Sequence, residues 1–352
     1  MSLNFIPIMF ASASLTYFGI AVFRKLSLNK EWLDVPNQRS SHDSPTPRGA
    51  GLIVVPLCLI GYVLATWVSG SDFSWGYFLG ALLVALVSWL DDLYSISFGW
   101  RLMTHVLAAC LVLYSEGYWT AVSIGDGRTV FLGSAGAIIT AAWIIWVINA
   151  YNFMDGIDGI AGVQGLVASA AWAAIAAKEG NGIYLFALIV FSSLVGFILH
   201  NWHPAKVFIG DVGSAFLGFT FATFPLLVSR SGFAGSELLP VVAVLILWPF
   251  IFDTILTMVR RAFRREMIWQ AHREHLYQRL NIAGRSHSLI SILYGVFAIA
   301  TSSAAILLLW TPGKIALASV MTTFAVSLIL TLVVSRAYRN ALRLSSRPNE
   351  AQ

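Results

Sequence analysis

Charge is what this sequence has least of: Asp, Glu, Lys and Arg make up 11% of its 352 residues, against roughly 25% in an average soluble domain. With 58% apolar residues the chain has too few polar groups to cover a water-facing surface, so a soluble fold is excluded and a polytopic membrane protein is expected. Cysteine is nearly absent. Cys58 and Cys110 each lie in an apolar run without partner ligands at useful spacing, which excludes a disulfide framework or a cysteine metal centre and leaves both as packing residues. No GxxxxGK[ST] phosphate loop and no basic, aromatic-rich soluble module occurs, so no nucleic acid is expected among the partners. The first apolar run, 5–23, has no basic stretch before it and no small-residue cleavage site after it, which marks a retained span.

What the chain does have is apolar length. A membrane helix needs about 20 mostly apolar residues, and the runs near 5–23, 50–67, 75–90, 102–118, 135–149, 160–177, 183–199, 212–228, 238–258, 289–310 and 315–334 give eleven spans. The fold class expected is all-α, one transmembrane domain over 1–352, with membrane lipids around it. The positive-inside rule orients it. Eighteen of the 22 basic residues fall after odd-numbered spans, and only Arg128, Lys178, Arg230 and Lys314 fall on the other side. The basic side is therefore read as cytoplasmic, with the N-terminus periplasmic and the C-terminus, including a basic tail at 336–352, cytoplasmic. In a bacterium the location is the inner (cytoplasmic) membrane.

The unusual polar segments share that side. Loops 24–49, 91–101, 150–159, 200–211 and 259–288 carry SSHDSPTPRGAG, DDLYSIS, NAYNFMDGIDG, HNWHPAKVFIGD and HREHLYQRL in turn. Convergence on one face is what parts of a shared active site would show, whereas the opposite loops, such as SGSDFS and KEGNG, are short and bland.

Within these loops, Asp91 and Asp92 end an apolar run, where two adjacent carboxylates cost several kcal/mol of desolvation unless water or a cation relieves them. Asn149, Asn152, Asp155 and Asp158 recur every three residues, neighbours on a helix, while Gly156 and Gly159 argue for a turn that exposes backbone to a ligand. Asp211, before Val212-Gly213-Ser214, also suits a helix N-cap. Oxygen donors from Asp and Asn suit Mg²⁺, which takes one or two carboxylates and fills its shell with water and substrate phosphates. Arg260, Arg261, Arg264 and Arg265 suit anionic lipid, whereas Arg273 and His275 stand where they can reach an anionic substrate, Arg273 by bidentate phosphate binding. Arg336, Arg339, Arg343 and Arg347 are spaced like an interfacial helix. Asp253 lies inside the ninth span, either as a functional intramembrane acid or as the partner of an arginine near its end.

Taken together, NxxNxxDGxDG, NxHPAxxFxGDxGS, the DD pair and PTPRGxG, in this order from Asp34 to about Leu280, resemble the polyprenyl-phosphate N-acetylhexosamine-1-phosphate transferases. That family includes the lipid I synthase of peptidoglycan assembly and the enzymes that start O-antigen. The resemblance implies transfer of a sugar 1-phosphate from a UDP-N-acetylhexosamine to undecaprenyl phosphate, with release of UMP and with Mg²⁺, or Mn²⁺ in its stead, as cofactor. It implies catalytic roles for Asp91, Asp92 and Asp211, metal binding by Asn152 and Asp211, and substrate binding by Thr46, Arg48, Asn149, Asp155, Asp158, Asn201, Arg273 and His275. Tyr277 and Gln278 stand where many relatives have further histidines, which favours the O-antigen branch over a muramoyl-pentapeptide substrate. A lysine common after the DD pair is replaced near Gly99, with Arg101 close by. A homodimer is left open, and the competing reading is a secondary transporter or lipid flippase with acids lining a path across the bilayer.

Overall fold

The computed structural model describes residues 5–29, 33–36, 44–123, 128–230, 232–233, 235–267, 272–311 and 313–345. Lys30, Arg39 and Arg347, used above for orientation, lie outside the described residues, as do 40–43 of the first polar loop, 268–271 of the last and 346–352 of the tail. The described chain is all-α apart from two short antiparallel pairs. In order it runs α1 Ile6–Asn29, β1 Leu33–Asp34, β2 Thr46–Pro47, α2 Gly51–Ser69, α3 Trp75–Tyr94, α4 Phe98–Glu116, β3 Ala121–Ser123, β4 Thr129–Phe131 and α5 Ala135–Met154. It continues with α6 Ile160–Lys178, α7 Ile183–Asn201, α8 Gly210–Ser229, α9 Leu239–Ile246, α10 Trp248–Phe263, α11 Leu276–Ile282, α12 His287–Trp310 and α13 Lys314–Ser345.

Ten of these helices are long and apolar enough to cross a membrane, and a bent pair supplies an eleventh span. That pair is the expected ninth span, and it is not straight. A segment from Ser236 to Ile246 and α10 meet at 71°, with Leu247 at the break and Pro249 just beyond it. Proline lacks the amide hydrogen that would continue the helix and disfavours helical backbone in the residue before it. The tail also differs from expectation: Arg336, Arg339 and Arg343 prolong α13 rather than forming a separate surface helix.

The centre of the bundle is α8, 94% of whose apolar stretch is buried, whereas the corresponding share is 17% for α1 and for α13. Against α8 lie α5, α3 and α2, and outside them α7, α6 and α12 complete the packing. Apolar residues on the rim, such as Phe10 and Phe18 of α1 and Leu328 and Ile329 of α13, are exposed, as a lipid-facing surface requires. Cys58 is buried as expected of a packing residue, whereas Cys110 is exposed on α4. Between membrane helices lipid competes on equal apolar terms, so close backbone approach carries much of the association.

The beginnings of α2 and α8 show this. A Cβ added at Gly51 would stand 2.5 Å from the Gly213 nitrogen and 2.7 Å from its Cα. Gly51→Ala must separate α2 from α8, at a cost of about 1–3 kcal/mol typical of overpacking. We expect a lower melting temperature in detergent for this variant, while Gly99→Ala, which lies within α4 and meets nothing within 4 Å, does not lower it; equal melting of Gly51→Ala and the parent would refute the contact. The same corner is tied by backbone. Phe208 N–H donates to Pro47 O at 2.8 Å, and Gly49 and Ala50 N–H groups both donate to Phe208 O at 3.0 Å. The segment after α1 is thereby fixed to the segment before α8.

Candidate active site

The polar segments between α1 and α2, α3 and α4, α5 and α6, α7 and α8, and α10 and α12 do meet at one end of the bundle. Arg48, set by its bridge to Phe208, places Nη2 2.9 Å from Asp92 Oδ1 and against Asp211 Oδ1 as well. Asp92, at the end of α3, turns its carboxylate to the start of α8, where Oδ1 and Oδ2 accept the Asp211 and Val212 N–H groups at 3.1 Å each. The cap of α8 is therefore lent by another helix, and Asp211, in the first turn, is left with its carboxylate free of that duty. Gly210 is at φ +76°, and a Cβ there would approach Asp92 Oδ2 to 2.9 Å; both facts demand glycine. Burial disfavours the charge on Arg48, but Asp211, Asp92, Asp34 and Asp155 outweigh it and hold the guanidinium protonated above its ordinary range.

Beside this cluster opens a polar cavity of about 200 Å³ whose wall includes Asp34, Arg48, Asn152, Asp155, Asp211 and Gln278. Burial drives the Asp155 carboxyl well above the usual carboxylate range, Arg48 opposes the shift, and Asp211, Asp92 and Asp158 add to it. Asp158, at the rim, is lowered instead: burial alone would raise it, but hydrogen bonds from His287, His203 and the Ala205 N–H prevail. Asn201 fixes this loop, its Oδ1 accepting the Gly159 N–H at 2.9 Å while its Nδ2 donates to Val207 O at 2.9 Å.

A second cavity, about 520 Å³ and mostly apolar, runs along α5 between α4 and α10, past Trp146, Ile145 and Ala142. At its polar end stand Asp91, held at 2.7 Å by Arg101 Nη1, and Asn149, whose Nδ2 donates to Ile145 O at 2.7 Å and lies 3.2 Å from His105 Nδ1. Asn152 and Asp211 line both cavities.

Not every residue singled out in the sequence reaches a cavity wall. Thr46 is buried and donates to Ser44 O at 3.0 Å, a tie within its own turn. His275 is also buried, with Nδ1 3.3 Å from Asp253 Oδ1, and neither it nor Arg273 is part of either wall. Asp253 proves to be a hub. Its carboxylate accepts the Leu276 N–H at 2.8 Å, the Tyr277 N–H at 3.3 Å and the Tyr294 hydroxyl at 2.6 Å, so it caps α11 and binds α10 to α12. Through α11 it positions Gln278 at the polar cavity and Tyr277, whose hydroxyl donates to Phe153 O at 3.0 Å. Asp253→Ala leaves those donors buried without an acceptor, which costs on the order of 3 kcal/mol or more. A clear drop in melting temperature with faster proteolysis between α10 and α11 is expected; an unchanged melting curve would refute the hub.

Sequence reading gave no site role to Asp34, Gln278, His287 or His203, although Gln278 and His203 fall within segments it singled out. The roles of Asp34 and Gln278 come from tertiary placement, by a β-pairing (Asp34 with Thr46) and by the short helix α11. His287 was legible only as a polar residue opening an apolar run.

The donors at the Arg48 cluster are suited to a hard divalent ion. Asp92, Asp211 and Asn152 offer oxygen alone, and the two carboxylates already draw a cationic side chain between them, so the residues fit Mg²⁺.

A model of glycosyl transferase family 4 matches residues 74–229. The chain is 29% identical over 295 residues to a probable undecaprenyl-phosphate N-acetylglucosaminyl 1-phosphate transferase of Bacillus subtilis, covering 81% of each chain. It is 28% identical over 357 residues to a decaprenyl-phosphate N-acetylglucosaminephosphotransferase of Mycolicibacterium smegmatis, covering 92% of this chain and 86% of that one. To a phospho-N-acetylmuramoyl-pentapeptide-transferase of Carboxydothermus hydrogenoformans it is 47% identical, over 60 residues, 17% of this chain and 18% of the other.

Proposed function

We propose that the chain, which matches a model of glycosyl transferase family 4 over residues 74–229, transfers an N-acetylhexosamine 1-phosphate from a UDP-sugar to undecaprenyl phosphate and releases UMP. One observation carries this reading above the rest: a polar and an apolar cavity meet at Asn152 and Asp211. A water-soluble nucleotide sugar fits the first and a prenyl chain the second, and the phosphates of both would then meet at the shared wall.

In this reading the acceptor phosphate enters beside Asp91 and Arg101. A phosphate oxygen attacks the β-phosphorus of the UDP-sugar, the bond from that phosphorus to the bridging oxygen breaks, and UMP leaves with the electron pair. Phosphoryl transfer asks mainly for positioning and neutralisation of charge. Arg48 supplies fixed positive charge, and Asp92 orients it while holding the start of α8. Asp91 accepts a proton from the acceptor phosphate or orients it. Asp155, Asp158 and Gln278 form the nucleotide side, with Asn201 as support. A magnesium ion held by Asp211 and Asn152 would neutralise the diphosphate. Arg273, on the loop before α11 and outside both cavity walls, would meet only those anionic parts of the substrate that extend beyond the polar cavity, and His275 acts through the packing of that helix.

The names of the relatives favour N-acetylglucosamine as the sugar. We place the product at the start of an envelope polysaccharide, O-antigen being the assignment that Tyr277 and Gln278 support, and the site on the cytoplasmic face of the inner membrane. The test is product analysis with purified protein, undecaprenyl phosphate and a panel of UDP-N-acetylhexosamines. A lipid diphosphate sugar and stoichiometric UMP are expected, lost on chelation and restored by Mg²⁺ or Mn²⁺. Release of UDP in place of UMP, or no lipid product with any sugar, would overturn the proposal.

A further inference from the structure

Outside the Arg48 cluster, three side chains with metal-ligating atoms converge from three segments of the fold. Asp158 lies between α5 and α6, His203 in the turn after α7, and His287 at the first residue of α12. One ligand atom from each lies within 4.8 Å of the other two. We propose that Asp158, His203 and His287 form a second cation site, which takes a borderline transition ion such as Zn²⁺ and fastens the three segments together.

The geometry supports this at three points. First, both imidazoles aim Nδ1 at the same carboxylate oxygen, Asp158 Oδ2, at 2.6 Å for His203 and 3.3 Å for His287. Around a tetrahedral zinc with bonds of about 2.0–2.1 Å, neighbouring ligand atoms lie about 3.3 Å apart. The His287 spacing already has that value. The His203 contact is a hydrogen bond and must open by about 0.7 Å to reach it, which its side chain, 42% exposed, has room to do.

Second, Asp158 is fixed in place. The Ala205 N–H donates to Oδ2 itself at 3.1 Å, while the backbone is tied by the Ser291 hydroxyl, which donates to the Asp158 carbonyl oxygen at 2.7 Å, and by Asn201 Oδ1, which accepts the Gly159 N–H. Such outer partners are what orient a ligand before the ion arrives. Third, the approach is one-sided. Asp158 and His287 are both 7% exposed, so an ion arrives past His203, and a fourth position faces the polar cavity that Asp158 and His287 line.

Donor chemistry separates this site from the Arg48 cluster. Two imidazoles and one carboxylate favour zinc, cobalt or nickel, whereas sites built from oxygen alone suit magnesium. A bound ion would clamp the DGxDG loop to the start of α12 without entering the transfer reaction itself.

The experiment is a Co²⁺ titration of the purified full-length protein in detergent, stripped of metal by a chelator and without substrate. Expected are one saturable equivalent with a visible ligand-field spectrum, its displacement by Zn²⁺ but not by excess Mg²⁺, and a raised melting temperature. His203→Ala, at a half-exposed position, should weaken Co²⁺ binding at least tenfold in protein whose cooperative melting without metal shows that it is folded. His203→Cys should keep the ion and add a thiolate charge-transfer band. Asp211→Asn should leave the spectrum intact. No saturable spectrum, meaning that the three side chains are held by hydrogen bonds alone, would overturn the proposal, as would one that survives His203→Ala. Transfer of sugar phosphate is not read in this titration, so its outcome and that of the proposed reaction are independent.

Discussion

Asp211→Asn lowers the rate of UMP release by on the order of 10²–10³, the largest effect expected of any isosteric change in this chain. Asp211 is one of the two residues common to both cavities, and its carboxylate faces Arg48 without capping any helix. Its backbone N–H, which Asp92 accepts, is untouched by the substitution. The fold should therefore survive, with a melting temperature close to that of the parent, while the charge at the junction is lost. Half-maximal activity should also move to higher Mg²⁺ concentration. Parent-like turnover in Asp211→Asn at low Mg²⁺ would remove the residue from the chemistry.

Ala142→Trp raises KM for long-chain prenyl phosphate by at least tenfold and leaves KM for the UDP-sugar unchanged. Ala142 and Asn152 both line the apolar cavity and stand ten residues apart on α5, about 15 Å along the helix axis. An indole at Ala142 blocks the far end of the cavity and spares the junction. Acceptors of one or two isoprene units should accordingly react as before, so the effect must depend on chain length. Equal losses for short and long acceptors would indicate general damage to α5, and no loss at all would place the prenyl chain elsewhere.

Much of this was readable before any coordinates. The spans follow from apolar length alone, and the grouping of polar loops at one end follows from alternation. The pairing of Arg48 with Asp92 and Asp211 was not readable, because it joins residues as far as 163 positions apart and depends on glycine contacts between α2 and α8. The bend at Leu247 was missed because both halves are apolar, so hydropathy passes through it unchanged; only Pro249 marks it. His275 misled for a related reason. The run HREHLYQRL is polar in sequence and looks solvent-exposed, yet Asp253, 22 positions earlier, gathers His275 and the next two N–H groups into the protein. A polar string does not reveal which of its members has found a buried carboxylate. The places of Gln278 and Asp34 in the cavity wall were not readable, because they come from where a short helix and a two-residue strand set them down.

Two chambers that share only Asn152 and Asp211 have a consequence for how turnover ends. Reactants of opposite solubility can be joined while each stays in its own phase, one reaching the junction sideways from the bilayer and the other from water. Departure then follows the same partition, the nucleotide fragment diluting into solution and the lipid drifting off within the membrane. No alternating exposure to two sides is required, and the direction of net flux is set by how quickly each phase carries its product away.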